Sequence, residues 1–159
     1  ADYARASLRA VKVYMDPDDL ERLVELRLER HGLLERSDPM QLWVVLDEGV
    51  LHRSIGGKEV MRVQLEHLLE LGRRPQNTIQ VVPFDRGVHA ALDGPITIIE
   101  FADPTDPNVV YVEGPAGNVY LEKPREVRRH IGTFNRLLSE ALTREESAAL
   151  IERVADGMR

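Results

Sequence analysis

Cysteine is absent from this 159-residue chain. That excludes disulfides, thiolate zinc sites, iron–sulfur clusters and cysteine nucleophiles. It fits a reducing compartment, so a cytoplasmic location is expected. Aromatic residues are also scarce, 5% of the chain with a single tryptophan, which leaves little to stack against a sugar ring in a paired-carboxylate glycosidase. No apolar run approaches the roughly 20 residues of a membrane span. Asp2 and Arg5 interrupt any apolar core a leader peptide would need. A basic stripe of the kind that grips phosphates is not evident either. The net charge is −6, and the deficit sits in the middle: residues 41–122 carry 6 basic and 12 acidic groups, against 7 and 9 before them and 8 and 6 after them. By this count the chain alone is a poor nucleic-acid binder.

What is present is a globular composition, 43% hydrophobic and 30% charged, in a length that suits one domain with a real core. "ADYARASLRAVKVYM" is helical by pattern, with Tyr3, Ser7, Leu8, Val11 and Met15 on one broad face. It runs from the first residue without a cap, as expected of a piece cut from something longer. Asp16 is a natural N-cap, Pro17 suits the first helical position, and Asp18 and Asp19 suit the positive end of the next helix. Leu42–Leu46 reads as a strand interior to a sheet. Lys58–Leu71 is a helix with Met61, Leu65, Leu68 and Leu69 on its apolar stripe, and Gly72 is expected to stop it at the C′ position.

Four further strands are expected at Thr78–Val82, Ile96–Phe101, Val109–Glu113 and Asn118–Glu122, the second of them central because both its faces are apolar. "GPAG" makes a hairpin of the last two, pairing Tyr111 with Tyr120 and Glu113 with Asn118. Its core face carries Val110, Val112, Val119 and Leu121. Its other face, with Tyr111, Glu113, Tyr120 and Glu122, is wet, aromatic and acidic. A helix opens at Pro124, and Thr143 with Glu146 makes a capping box for a last one. The fold class expected is α+β: about five strands in one mixed or antiparallel sheet, covered by helices and helical at both ends.

Chemistry is sparse. No histidine pair has the spacing of a zinc protease, no serine sits in a nucleophile elbow, and Gly56-Gly57 lacks the rest of a phosphate loop. The stretch "LWVVLDEGVLHRSIGG" allows two readings. In one, Asp47 caps a turn and Arg53 pairs with Glu48 or another acid. In the other, Asp47, Glu48, His52 and Arg53 surround a polar pocket beside Gln64, where the sheet meets the Lys58–Leu71 helix. His89 lies in a loop, where a histidine is ordinarily solvated, and is the best single candidate for a specific polar contact.

Taken in order, "ADYARASLRA", "VVLDEGVLHRSIGGKEVMRVQLEHLLEL", "IQVVPFDRGVHAALDGPITIIEFADP", "VVYVEGPAGNVYLEKP" and "ALTREESAALI" resemble a known family. It is the domain of unknown function that follows an Xre-type helix-turn-helix in many actinobacterial, antitoxin-like transcriptional regulators. The resemblance covers essentially all of the chain. Ile96 stands where the family usually has phenylalanine, His31 where it often has glutamine, and "GRRPQN" is an atypical connection. The resemblance implies that residues 1–159 are a single C-terminal regulatory domain, that DNA is read only by an N-terminal domain absent from this chain, and that the protein is a cytoplasmic homodimer. It implies a small protein partner or a small-molecule effector, no membrane, no metal and no cofactor. The polar signature it carries over is Asp47, Glu48, Arg53, Gln64, His89, Tyr111 and Glu113; Tyr120 joins them from the hairpin face. Three functions are weighed as expectations, the first of them leading, so that the chain is expected not to be an enzyme. The first is partner binding on the hairpin face. The second is an effector pocket in which His89 and Arg53 read an anion. The third is a small hydrolase-like enzyme using Asp47, Glu48 and His52 or His89 as acid and base.

Overall fold

The structure is a computed structural model that describes residues 1–90, 92, 94–114 and 117–159. The turn expected at Asp93 and the tip of the "GPAG" loop, Pro115 and Ala116, lie outside the described residues. In chain order the elements are α1 (Asp2–Val11), α2 (Pro17–Glu29), a 3-10 segment (Arg30–Leu34), β1 (Leu42–Asp47), α3 (Gly49–His52), α4 (Lys58–Gly72) and β2 (Asn77–Val82). A 3-10 turn (Phe84–Arg86), β3 (Ile96–Ile99), β4 (Val109–Gly114), β5 (Gly117–Leu121), α5 (Pro124–Glu140) and α6 (Arg144–Asp156) follow. Among the described residues no helix is long and apolar enough to cross a membrane.

The chain divides into two compact units, one of residues 1–81 with 142–159 and one of residues 82–141. The α+β class holds, but a single five-stranded sheet does not form. β1 and β2 make a two-stranded sheet, and β3, β4 and β5 make a separate three-stranded one in that order. The reason lies at the free edge of β2. Val81 donates its N–H to Ser147 Oγ at 3.0 Å, and its carbonyl accepts from Leu142 N–H at 2.8 Å. Both backbone groups of one strand residue point to the same edge, so the start of α6 occupies the place where a third strand would pair. Gln80 Nε2 adds a bond to Leu142 O at 2.7 Å. Leu42–Leu46 is therefore not interior to a wide sheet. Ile96–Ile99 is not central either: it is an edge, and β4 is the middle strand, with Val110 fully buried.

The core of the first unit forms where α4 and α6 meet β2. Leu51, Leu65 and Val81 are fully enclosed and Ile151 nearly so. A second cluster, Leu8, Leu20 and Val24, joins α1 to α2. Arg5 fastens the same two helices with a bidentate pair to Glu21, at 2.7 and 2.9 Å. α4 starts after Gly57. Gly56 has a φ of +77°, and a Cβ there would sit 2.9 Å from Val60 Cγ1 and 3.0 Å from Ala6 Cβ, so only glycine lets α1 approach at that turn. At the other end Gly72 is the last helical residue and not a left-handed stop. The buried Asn77 side chain takes that role, donating to Leu71 O at 2.9 Å.

One contact ties the 3-10 segment to α4. The rings of His31 and His67 stack, centroids 5.5 Å apart and 7° from parallel. His67 Nε2 is buried without a hydrogen-bond partner. Burial, then the charge of His31, holds the His67 imidazole below its ordinary value of 6.5; Glu70 opposes this and Arg74 adds to it.

Two outcomes are expected. Ser147→Ala leaves the Val81 N–H buried and unpaired, at a cost of about 1–3 kcal/mol; a Tm fall of roughly 2–4 °C per kcal/mol measures it. For His67, the folded state resists protonation while the unfolded chain accepts a proton in the ordinary histidine range. Its stabilising contribution is whole above 6.5, and falls as pH drops through that value towards the lower folded pKa. Denaturant titrations at about pH 7.5 and about pH 5.5 should show His67→Leu losing less stability on acidification than the parent chain.

Candidate functional site

The eight residues singled out from the sequence fall into two groups, one in each unit. In the first unit, β1 delivers Asp47 at its end, and Asp47 Oδ1 accepts the Gly49 N–H at 2.8 Å, which turns the chain into α3. Glu48 is half-buried, and its Oε1 lies 3.4 Å from His52 Nε2, one helical turn on. Arg53 was expected to pair with Glu48 or another acid. Arg53 instead stands exposed just past α3, in an extended conformation, with no ion pair among the described residues. Gln64 is half-buried on α4. Two hollows are present in this unit. One, of about 150 Å³, lies between α4 and α6, with an apolar floor that includes Leu68 and Ile151 and with Arg73 and Arg144 at its rim. The other, an open depression of about 420 Å³, runs along α6 beside His52. None of the eight residues lines either hollow. The local geometry of Asp47, Glu48 and His52 is that of a capped turn with a Glu48–His52 contact across it.

In the second unit, His89 follows the 3-10 turn and Gly87, whose φ is +66°. It is buried, 8% exposed, and so is not the solvated loop histidine expected. Tyr111, Glu113 and Tyr120 come together. The antiparallel register pairs Tyr111 with Tyr120 and Glu113 with Asn118, as the hairpin reading required. The tyrosine rings are 5.1 Å apart at 44°, and Tyr111 OH donates to Glu113 Oε1 at 3.2 Å. β3 extends the same face, because Thr97 pairs with Tyr111. Alternation sets Val110, Val112, Ile96 and Ile98 on the opposite face, where α5 contributes the buried Val127 and Leu137 and makes its contacts with β3 and β4. The tyrosine face is left to solvent: Tyr120 is 64% exposed, and Glu113 and Glu122 are exposed too. The β3–β4 connection adds Glu100, Asp103 and Asp106. Asp103 accepts from both Thr105 N–H and Thr105 Oγ1, at 2.8 and 2.7 Å, which holds its carboxyl below the usual range.

Block counts of charge missed one feature. Between Lys123 and Ser139 there are five cations and one acid. Arg125, Arg128, Arg129 and Arg136 fall at helical spacing on one side of α5, opposite Val127, Phe134 and Leu137. All four are exposed. Arg136 pairs with Glu140 at 3.1 Å; among the described residues the other three have no ion pair. The signal was readable, since four arginines recur at steps of three, one and seven, but averaging over residues 123–159 cancels it against the acids of α6. Among the described residues no three histidine or carboxylate groups are arranged to hold a metal ion.

No curated protein and no solved structure matches this chain. One family model, described as a domain of unknown function (DUF5753), matches residues 1–153. The chain therefore belongs to the DUF5753 family.

Proposed function

We propose that this chain is the partner-binding domain of an Xre-type helix-turn-helix regulator of the antitoxin-like, actinobacterial kind, acting in the cytoplasm, and that it takes up a small basic protein. The observation that carries this reading is the exposed face of the β4–β5 hairpin. Two tyrosines in contact, a glutamate hydrogen-bonded to one of them and the exposed Glu122 next along the same face make an aromatic centre with carboxylates beside it. Tyrosines supply large contact area at low entropic cost, and complementary charge sets encounter rate and partner choice. DNA contact belongs to the N-terminal domain that the resemblance implies.

The enzyme reading has weaker support. Asp47 already accepts a backbone N–H and Glu48 faces His52, the arrangement of a capped turn. An effector pocket has weak support as well. The hollow between α4 and α6, about 150 Å³, is below the roughly 300–1,000 Å³ of ordinary small-molecule sites, and the depression beside His52, about 420 Å³, is within that range but open, with neither His89 nor Arg53 in its lining.

The test is a pull-down with the full protein from its native cell, followed by a binding titration against a small basic protein so captured. Tyr111→Ala and Glu113→Lys should each weaken the complex at least roughly tenfold, the scale of a central interface residue, with the thermal transition unchanged. Unchanged affinity in both variants rejects this face.

A further inference from the structure

The second unit presents two complementary surfaces on opposite sides of one sheet. On the outside of α5 run Arg125, Arg128, Arg129 and Arg136. On the far face of the sheet lie Tyr111, Glu113 and Tyr120, with Glu122 just beyond β5. We propose that the arginine stripe of one copy docks on the tyrosine–glutamate face of a second copy, so that the chain associates head to tail.

Three observations support the match. The first is chemical. A guanidinium both stacks on aromatic faces and forks onto carboxylates, and the hairpin face offers tyrosines beside glutamates. The second is dimensional. Arginines one helical turn apart, such as Arg125 and Arg129, are separated by about 6 Å along the helix axis. Groups two residues apart on a strand, such as Tyr111 and Glu113, are separated by about 6.6 Å. The Arg125–Arg129 pair can therefore meet two successive groups on one strand of the hairpin. The third is access. Gly132 lies mid-stripe, and a Cβ there would touch nothing within 4 Å, so the helix presents no bulk between its arginines. The apolar side of α5 is already committed to its own sheet through Val127 and Leu137, which fixes the stripe outward.

The arrangement dictates the kind of assembly. Stripe and face lie on opposite sides of the sheet, so one contact leaves a stripe and a face unused: the interface is heterologous and does not close as a two-fold dimer, and the rotation between copies decides between a ring and an open chain. Ionic strength acts in both directions. Each copy carries −6 overall, and at about 0.01 M salt, with a screening length of roughly 30 Å, whole-chain repulsion opposes encounter. At about 0.1 M that repulsion is screened while contact pairs persist, and at about 1 M the pairs weaken as well. Association should peak at intermediate salt.

This inference shares with the partner-binding reading the premise that the tyrosine face receives cations. Sedimentation velocity of the 159-residue chain over a concentration series at those three salts is the test. The parent chain should show mass rising with concentration, most at the middle salt. Arg128→Glu/Arg129→Glu and Glu113→Arg/Glu122→Arg should each be monomeric, because like charges then face each other. An equimolar mixture of the two variants should regain association, since every stripe meets a face of opposite sign. A monomeric parent chain at every concentration, or a mixture that stays monomeric, overturns the proposal. So does labelled duplex DNA or an acidic peptide that binds through Arg128 and Arg129 while self-association is unaffected by their reversal; that result assigns the stripe to an anionic partner. The Arg128→Glu/Arg129→Glu variant keeps the tyrosine face whole. Its capture of the small basic protein therefore tests the partner-binding reading alone, whatever its own association state.

Discussion

Val81 is where the architecture is decided. Its N–H goes to the hydroxyl of Ser147 and its carbonyl to the N–H of Leu142, so the segment leading into α6 behaves as a strand's partner without being a strand. The consequences run in two directions. In the first unit the bond pair stops the sheet at two strands and draws α6 onto α4, where Leu65 and Ile151 close the core. Along the chain it brings residue 142 back to residue 81, so that residues 82–141 leave and return at hydrogen-bonded neighbours. The second unit is an insertion in the topology of the first. Insertions of that kind are tolerated because their ends are already close together. The tyrosine face and the arginine stripe both belong to the insertion, whose surface can vary without disturbing the α4–α6 core.

Local signals in the sequence carried much of this fold. Asp16 accepts the Asp18 N–H at 2.9 Å ahead of Pro17, and the Thr143–Glu146 capping box forms in both directions, at 2.9 and 3.2 Å. The hairpin register follows from turn length and alternation alone, and Tyr111 pairs with Tyr120 as those rules require. Each of these is a statement about residues within about ten positions of one another. What the sequence did not reveal depends on distant partners. Whether five strands make one sheet or two depends on what closes the edge of β2, and that group is a serine hydroxyl on a helix 66 residues away. The apolar pattern of Ile96–Ile99 suggested a central strand, yet pattern says nothing of which neighbours a strand finds.

The candidate residues divide in the same way. Tyr111, Glu113 and Tyr120 were readable as a group because alternation along two paired strands sets them on one face. Asp47 and Glu48 were readable only as two alternatives, a turn or a pocket. The bond from Gly49 to Asp47 and the His52–Glu48 contact are short-range features of the kind the turn reading described. His89 shows the limit of composition-based reasoning. Loop histidines are ordinarily wet, and this one is buried, which residue types in the loop do not advertise. His31 and His67 stack across 36 positions with nothing in either neighbourhood to link them.

The arginines of α5 show how the scale of averaging changes a physical conclusion. Net charge speaks for solubility and for long-range steering, and by that measure the chain repels anions. Docking is decided within a screening length, roughly 8 Å at physiological salt, and at that range only the groups sharing a face count. On the outer side of α5 they are cationic, and on the far face of the sheet they are aromatic and anionic. An insertion with opposite charge on its two sides has a built-in direction. Any cationic surface, whether a partner's or a second copy's, is drawn to the sheet side, and any anionic one to the helix side. The same hairpin face would then serve both, so occupancy by a basic partner and occupancy by another copy exclude each other. On the two proposals together, partner concentration would set the assembly state of the chain with no conformational change inside it.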